Sequence, residues 1–221
     1  MFPASIQKLI ELFAKFPTVG PKTARRFVFY LIKQPKEKID ELITSIQDIK
    51  NKIIYCSFCF NPFDPSTLRQ DSGQVSSGQD NRLCEICKST NRDKSLLCII
   101  EKETDLETIE KTKKYNGLYY ILGGAIETLK KDEINGLRLK ELKEHLKNPQ
   151  NFGIVTEFKE IIIATNPTPE GRATALFVEK IIKEDSKATT KITHLGLGLP
   201  VGGELEYADE ETLENAFNNR S

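Results

Sequence analysis

Four of the five cysteines stand in two C-x-x-C pairs, the pattern with the clearest chemistry in this sequence. Twenty-four residues separate the two pairs. Two such pairs supply the four thiolates of a tetrahedral Zn²⁺ site, in which no position stays open for catalysis. A redox dithiol is the competing interpretation, but two pairs in a stretch with little apolar sequence favour zinc. We predict one structural Zn²⁺ per chain, bound by Cys56, Cys59, Cys84 and Cys87.

Polar and acidic side chains follow two short apolar runs further along the chain. LLCII (96–100) is followed by Glu101, and EIIIA (160–164) is followed by TNPTPEG (165–171). In an α/β protein, a functional loop begins where such a buried strand stops. Carboxylate oxygens are the ligands that Mg²⁺ prefers, but only one residue of the second loop is acidic. Weak Mg²⁺ binding and contact with a protein partner both remain open. The candidate residues for partner contact are Glu101, Asp105 and Glu170. Together with Glu103, these carboxylates are the candidates for loose Mg²⁺ binding through water.

The N-terminal region carries basic residues next to a turn. FPTVGPKTARRFVFYLI (16–32) predicts a helix end, a tight Gly-Pro turn and a second helix. A helix N-terminus flanked by cations is suited to binding phosphate, and Lys22, Arg25 and Arg26 are the candidate contacts. The stretch resembles a helix-hairpin-helix DNA-binding motif, which implies contact with the DNA backbone without reading bases. The alternative is an ordinary amphipathic helix with a solvated basic face. The apolar positions expected to be buried in this helix are Ala24, Phe27, Val28, Leu31 and Ile32.

The elements that position these residues form a helical first third and an α/β remainder. Apolar residues at helical spacing predict three helices before residue 55. Further along, short apolar strands alternate with helices, which predicts a mostly parallel sheet covered on both faces. The polar insert DSGQVSSGQDN (71–81) is expected to be mobile. The predicted strands are 96–100, 119–122, 160–164 and 191–195, and the predicted helices after residue 100 are 104–115, 138–147, 170–184 and 209–217.

Composition and charge narrow the class of protein. The chain has 221 residues, of which 38% are hydrophobic and 29% charged, as in a globular protein. Residues 1–55 hold ten Lys/Arg and five Asp/Glu, whereas the remainder holds twenty-two and twenty-seven. A basic head on an acidic body suggests a polyanionic partner at the N-terminus. Without an apolar run of about 20 residues or a signal-peptide pattern, the expected location is the cytoplasm.

The order of these features resembles the RecR family of bacterial recombination mediators, and the resemblance covers nearly the whole chain. The sequence departs from the family pattern at Thr18, where the hairpin usually has glycine, and at Arg172, where acidic residues are common. The spacer between the cysteine pairs is also longer. The motifs that carry the resemblance are VGPKTARRF, CSFC…CEIC, IIEKETD, ATNPTPEGRATAL and GLGLPVGGELEYADEETL.

The resemblance implies an α+β multidomain fold and a ring-shaped clamp. The expected regions are a helix-hairpin-helix over 1–55, a four-cysteine zinc finger with a long flexible insert over 56–92, a Toprim α/β domain with a mostly parallel sheet over 95–200, and a Gly-rich acidic oligomerisation tail over 201–221. The clamp is expected to be a homotetramer or dimer on single-stranded, gapped or double-stranded DNA. Its implied partners are RecO and RecF, with which it would load RecA.

The resemblance also assigns roles to individual residues. Lys22, Arg25 and Arg26 match the DNA-contact region of the family, and the four cysteines match its zinc ligands. Glu101 matches the Toprim glutamate, and Glu170 lies in the loop associated with RecO contact. The tail from Glu204 onward has six acids and one base, which suggests docking on a neighbouring subunit.

The choice between an enzyme and a clamp depends on the second loop. Toprim enzymes add an Asp-x-Asp pair to the glutamate, and the three carboxylates bind Mg²⁺ for phosphoryl chemistry. Here Asn166-Pro167-Thr168 leaves both aspartate positions neutral. We therefore predict a clamp without catalytic residues, in which His145 and His194 are structural. The alternatives are a metal-dependent Toprim nuclease, topoisomerase or primase, and a zinc-ribbon adaptor that binds only protein.

Overall fold

The computed structural model divides into two compact units, Met1–Ile53 and Ile54–Ser221. The polar insert over 71–81 lies outside the described residues. None of the described helices combines the length and the apolar character needed to cross a membrane. The structure describes residues 2–67, 82–126, 136–152, 154, 157–185, 189–196, 198–199, 201–202 and 204–218.

The first unit consists of the three predicted helices. Phe13, at the end of the first helix, packs edge-to-face against Phe16 and Phe27 with ring centroids 5.7 and 5.8 Å apart. Proline suits the first position of a helix because its missing N–H has no partner there, and Pro21 begins the second helix in this way. The helices are α1 (Ala4–Phe13), α2 (Pro21–Ile32) and α3 (Lys36–Lys52).

The core of this unit is thin. Among the described residues of its three helices, Ala24 and Val28 are the only buried ones, and α3 buries none of its side chains. The expectation that Phe27 and Ile32 would be buried is wrong, since they are 42% and 57% exposed. The apolar face of α2 is wider than the part of it that α1 covers. Phe27 and Ile32 lie on the uncovered part and remain at the surface.

The second unit begins with the two cysteine pairs. A two-stranded antiparallel ribbon, β1 (Ile54–Tyr55) and β2 (Pro62–Phe63), presents the first pair in its turn. The second pair lies at the start and within the single turn α4 (Glu85–Lys88). Both pairs are part of the same buried core as the following sheet.

A four-stranded parallel sheet in the order β4-β3-β5-β6 forms the centre of this unit. Four of the five residues of β3 are buried, as expected for a strand covered on both faces. α5 packs against β3, whereas α7 packs against β5 and α6. The strands are β3 (Leu96–Ile100), β4 (Leu118–Ile121), β5 (Glu160–Ala164) and β6 (Lys191–His194). The helices are α5 (Glu103–Thr112), α6 (Leu139–Lys147), α7 (Pro169–Asp185) and α8 (Glu210–Asn218).

The element boundaries differ from the predicted ones by a few residues. The helix predicted over 104–115 ends at Thr112 because Lys113 adopts a left-handed conformation with φ 54°, which terminates the helix. The strand predicted over 119–122 begins one residue earlier, at Leu118. The type and order of these elements match the prediction, and both functional loops therefore follow the carboxyl ends of neighbouring parallel strands.

Candidate nucleic-acid, metal and partner-binding sites

The hairpin between α1 and α2 places three cations at the start of a helix. Gly20 is extended and precedes Pro21, the first residue of α2. Lys22, Arg25 and Arg26 follow within the first two turns and are all exposed. The first turn of α2 contains no acidic residue, so the positive end of the helix and the cations act together. This arrangement can bind a phosphate oxygen through backbone N–H groups and through side chains.

Thr18 lies at the tip of this hairpin in the left-handed region, with φ 63°. A β-branched residue rarely adopts this conformation, because its side chain crowds the backbone. It is the position at which the sequence departs from the expected glycine, and the chain nevertheless keeps the backbone conformation that glycine adopts without strain. The hairpin therefore has its expected geometry but carries local strain.

The four cysteines of the two pairs converge on one buried point. All four are at most 2% exposed, and their Sγ atoms lie within 4.8 Å of one another. A tetrahedral Zn²⁺ with Zn–S bonds of about 2.3 Å separates its sulfur ligands by about 3.8 Å. The Sγ atoms of Cys59 and Cys84 are 3.5 Å apart. The arrangement fits the predicted structural metal site and leaves no ligand position for substrate.

The electrostatics of the cluster also favour a cation. The pKa of Cys56 is lowered by hydrogen bonds from the thiols of Cys59, Cys84 and Cys87. Hydrogen bonding with Cys56, together with burial, raises the pKa of Cys87. Four packed thiols cannot all ionise by themselves, because each thiolate opposes the ionisation of the next. A divalent cation removes this opposition and binds the four thiolates together.

The metal region is joined to the sheet by aromatic and backbone contacts. The backbone N–H of Ile121 in β4 donates to the carbonyl of Cys59 at 3.1 Å. His145 of α6 stacks against Phe58 and Phe60, with ring centroids 5.5 Å away in both cases. Burial lowers the pKa of His145 to about 4, so the ring is neutral at neutral pH and packs as an aromatic side chain.

Arg138 reinforces the same junction and was not singled out from the sequence. Its guanidinium lies 4.7 Å from the ring centre of Phe60 and donates to the carbonyl of Ile121 at 3.0 Å. The sequence offers no signal for this role, since the residue is a single arginine among many charged residues. The contact holds the first cysteine pair against β4.

Glu101 and Asn166 form the centre of the second candidate site. Glu101 follows β3 and is only 3% exposed. Its Oε1 accepts a hydrogen bond from the backbone N–H of Asn166 at 2.8 Å, and its Oε2 accepts one from the Asn166 side-chain amide at 2.5 Å. Both carboxylate oxygens are thus occupied by a single residue of the loop after β5. The loops after β3 and β5 are therefore in direct contact.

Gly171 permits the close approach of Glu101 and Asn166, and Thr174 fixes a neighbouring loop. A Cβ on Gly171 would lie 2.0 Å from the Asn166 carbonyl oxygen and 2.8 Å from Oε1 of Glu101, so no other residue fits there. Thr174 of α7 is fully buried. Its hydroxyl donates to the carbonyl of Glu170 and accepts the backbone N–H of Ile126 at 2.8 Å. The loop after β4 is thereby fixed to α7.

These loops surround an open cleft of about 480 Å³ at the carboxyl edge of the sheet. Glu170 is half-buried at its rim, whereas Asp105 accepts the backbone N–H of Lys102 at 2.9 Å and caps α5. Glycines 123 and 124 line the cleft with φ 93° and 153°, conformations that favour glycine. The lining includes Glu101, Lys102, Gly123, Gly124, Thr168 and Glu170.

Comparisons with known proteins match this order of sites. Residues 6–50 match the family described as "RecR, helix-hairpin-helix", residues 95–195 match "Toprim domain", and residues 198–221 match "RecR, C-terminal". The chain is 36% identical over 220 residues to the Recombination protein RecR of Clostridium perfringens, covering 100% of this chain and 98% of that protein. The chain belongs to the RecR family. It is 37% identical over 219 residues to the Recombination protein RecR of Bifidobacterium adolescentis, with 99% and 96% covered.

RecR membership confirms the resemblance inferred from the motifs and the predicted fold class. It assigns the chain to the recombination proteins and not to the metal-dependent Toprim enzymes. The structure agrees in its chemistry, because the glutamate that such enzymes use for Mg²⁺ has both oxygens bound to Asn166 here.

Proposed function

We propose that this RecR-family chain is a recombination mediator in DNA repair that clamps DNA and recruits protein partners. The observation that carries this proposal is the combination of an exposed basic hairpin with a Toprim loop in which an asparagine amide is hydrogen-bonded to the glutamate. The first feature suits binding of DNA, and the second is unsuited to phosphoryl chemistry. Binding to chromosomal DNA would place the chain at the nucleoid.

DNA binding is assigned to Lys22, Arg25 and Arg26. Each phosphate contact releases counterions, so three contacts contribute roughly 2 to 3 units to the slope of log K against log salt concentration. Reversing the three charges to glutamate should reduce binding of single-stranded and double-stranded oligonucleotides alike and flatten that slope, as measured by fluorescence anisotropy. The matched control reverses three exposed lysines of α3 in the same unit, namely Lys36, Lys38 and Lys52.

The outcome also separates the clamp from a zinc-ribbon adaptor that binds only protein. Retained DNA affinity in the hairpin variant would contradict the assignment. Mg²⁺-dependent cleavage or relaxation of DNA that disappears in Glu101→Gln would favour the Toprim enzyme instead.

Partner binding is assigned to the rim of the cleft, with RecO and RecF as the proposed partners and RecA loading as the result. Glu170 presents a half-buried carboxylate on a loop stiffened by two prolines. Asp105 lies at the start of the neighbouring helix α5. Glu101 supports this surface from within, since its side chain is buried.

A charge reversal tests the assignment. Glu170→Lys should weaken RecO binding at least tenfold in calorimetry and leave DNA binding unchanged. Glu107→Lys, on the exposed face of α5, is the matched control and should bind RecO normally. Equal loss of DNA and RecO binding in Glu170→Lys would show that the loop is only structural.

Assembly into a ring is proposed from the apolar surface of both ends of the chain. In the first unit, Ile43, Ile46 and Ile49 of α3 are 48%, 55% and 61% exposed. Near the C-terminus, Tyr207 and Phe217 are 80% and 67% exposed. Clusters of exposed apolar side chains mark protein interfaces. A closed ring needs two interfaces per subunit, and the two clusters would supply them.

Native mass spectrometry tests the assembly and the metal together. We expect a tetramer or a dimer that carries one Zn²⁺ per chain. Ile43→Glu combined with Ile46→Glu should lower the oligomer mass, whereas Thr44→Glu on the polar side of α3 should not. Deleting residues 204–221 should lower it as well, and an unchanged mass in both variants would contradict the proposed interfaces.

A further inference from the structure

The buried carboxylate of Glu101 has an unusual environment for a Toprim glutamate. In the described part of the chain, no lysine or arginine is paired with it in a salt bridge. Burying a carboxylate without compensating donors or cations is strongly unfavourable. Among the described residues, its hydrogen-bond donors are the two N–H groups of Asn166. The side chain must therefore be stabilised by the loop that contains Asn166 and by the helix that follows it.

The helix α7 supplies the missing positive potential. Gly171 lies in its first turn, and its backbone approaches Oε1 of Glu101 so closely that a Cβ would be 2.8 Å from that oxygen. The N-terminus of a helix carries a partial positive charge that stabilises a nearby anion. Two N–H donors and one helix terminus thus surround the carboxylate on the side where Toprim enzymes place their aspartates.

The donor set does not fit Mg²⁺. This cation requires oxygen ligands in octahedral geometry, and the group facing Oε2 is the NH₂ of an amide, which is a donor and not a ligand. The backbone N–H of Asn166 occupies the other oxygen. A cation entering this position would have to break both hydrogen bonds, and the Asn166 side chain would offer it no second carboxylate.

We propose that the amide of Asn166 takes the place of the divalent cation, so that Glu101 is a positioning residue that holds the loop from Asn166 to Gly171 independently of Mg²⁺. The carboxylate and the amide form a lock between β3 and the loop after β5. The carboxylate of Glu101, directly after β3, accepts both hydrogen bonds and Asn166 of the loop donates both, so the loop is held in place without a metal ion.

A polarity swap tests this lock. Glu101→Gln places an amide NH₂ opposite the Asn166 NH₂, and Asn166→Asp places two carboxylates opposite each other, so each change loses the bond at Oε2. Each single variant should melt roughly 5–10 °C below wild type, as expected for losing a hydrogen bond to a buried charged group. The double variant restores a donor opposite an acceptor and should recover most of the loss. Additive losses in the double variant would overturn the proposal.

Divalent cations provide the second arm of the test. Melting temperatures of the intact zinc-loaded protein are compared in MgCl₂ and in NaCl at matched ionic strength. Wild type and the double variant should not respond, whereas Asn166→Asp, which now has two facing carboxylates, should be raised by Mg²⁺. A Mg²⁺ response of the wild type that disappears in Glu101→Gln would overturn the proposal.

Folding failure of the single variant does not remove the test. If Asn166→Asp does not fold and the double variant does, the aspartate at position 166 is tolerated only with glutamine at position 101. That result supports the proposed pairing of the two side chains. If neither folds although Glu101→Gln does, the two residues are not reciprocal and the proposal is wrong.

Discussion

Replacing Thr18 by glycine should stabilise the hairpin between α1 and α2. Thr18 has φ 63°, and the left-handed conformation is unfavourable by about 1–2 kcal/mol for a residue with a Cβ. Glycine adopts it freely but loses about 0.5–1 kcal/mol through its more flexible unfolded chain. For the central values of the two terms, the difference is a net stabilisation of about 0.5–1 kcal/mol. Both terms act within the first unit, so the effect should be local to residues 1–53.

Hydrogen exchange followed by mass spectrometry is the suitable measurement. Because each kcal/mol changes the opening equilibrium about fivefold, amides of α1 and α2 in Thr18→Gly should exchange roughly two- to fivefold more slowly than in wild type. Amides of the parallel sheet should be unaffected. The zinc-loaded full chain is used, so that the assembly state is the same in both samples.

Thr23→Gly is the matched control for this prediction. Thr23 lies within α2, where the same chemical change removes a side chain from a regular helix and destabilises it by about 0.5 kcal/mol. The two substitutions should therefore have opposite signs. Faster exchange in Thr18→Gly, comparable to that of Thr23→Gly, would refute the argument from backbone strain.

Three further predictions concern the second unit. Cys84→Ser should remove zinc and lower the melting temperature by more than about 10 °C, since metal binding contributes directly to folding; Cys98→Ser, in β3, should keep the metal content measured by mass spectrometry. Gly171→Ala should destabilise the unit and weaken RecO binding, because its Cβ would clash with the Asn166 carbonyl; unchanged melting would contradict the close packing. The hydrogen bond from Arg92 lowers the pKa of Glu110. At pH values above about 4.3, the pKa of Glu110 in the unfolded chain, its carboxylate therefore stabilises the fold. This contribution is lost as the pH falls through the lower pKa of the folded protein. In urea unfolding, Glu110→Gln should be less stable than wild type at neutral pH, and the difference in unfolding free energy should disappear in acid.

Short-range patterns made the secondary structure and the metal site predictable. The C-x-x-C spacing is enough to place the two thiolates of each pair, whatever conformation the insert between the pairs adopts. It therefore identifies all four ligands, Cys56, Cys59, Cys84 and Cys87. Apolar runs likewise identify β3 and β5, because most residues of both strands are buried. The same pattern overestimated the burial of Phe27, since periodicity shows which face is apolar and not how much of it another element covers.

The lock between Glu101 and Asn166 was beyond the reach of such patterns. The sequence places each residue after a strand and shows that Asn166 is neutral. It does not show that two side chains 65 positions apart are within hydrogen-bond distance, because that depends on the strand order and on the close approach that Gly171 permits. Arg138 and Thr174 were missed for the same reason, as their contacts are also distant in sequence.

The docking of the first cysteine pair on β4 has a consequence for solubility. β4 and β6 are the two edges of the described sheet, and an uncovered edge strand can pair with a strand of another molecule. The carbonyl of Cys59 accepts a hydrogen bond from β4, and Phe60 packs against the side chain of Tyr120 in the same strand. The knuckle that carries this cysteine pair therefore also covers one edge of the described sheet. We expect that removing a metal ion from the four-cysteine cluster would loosen this cover and promote aggregation through the exposed edge.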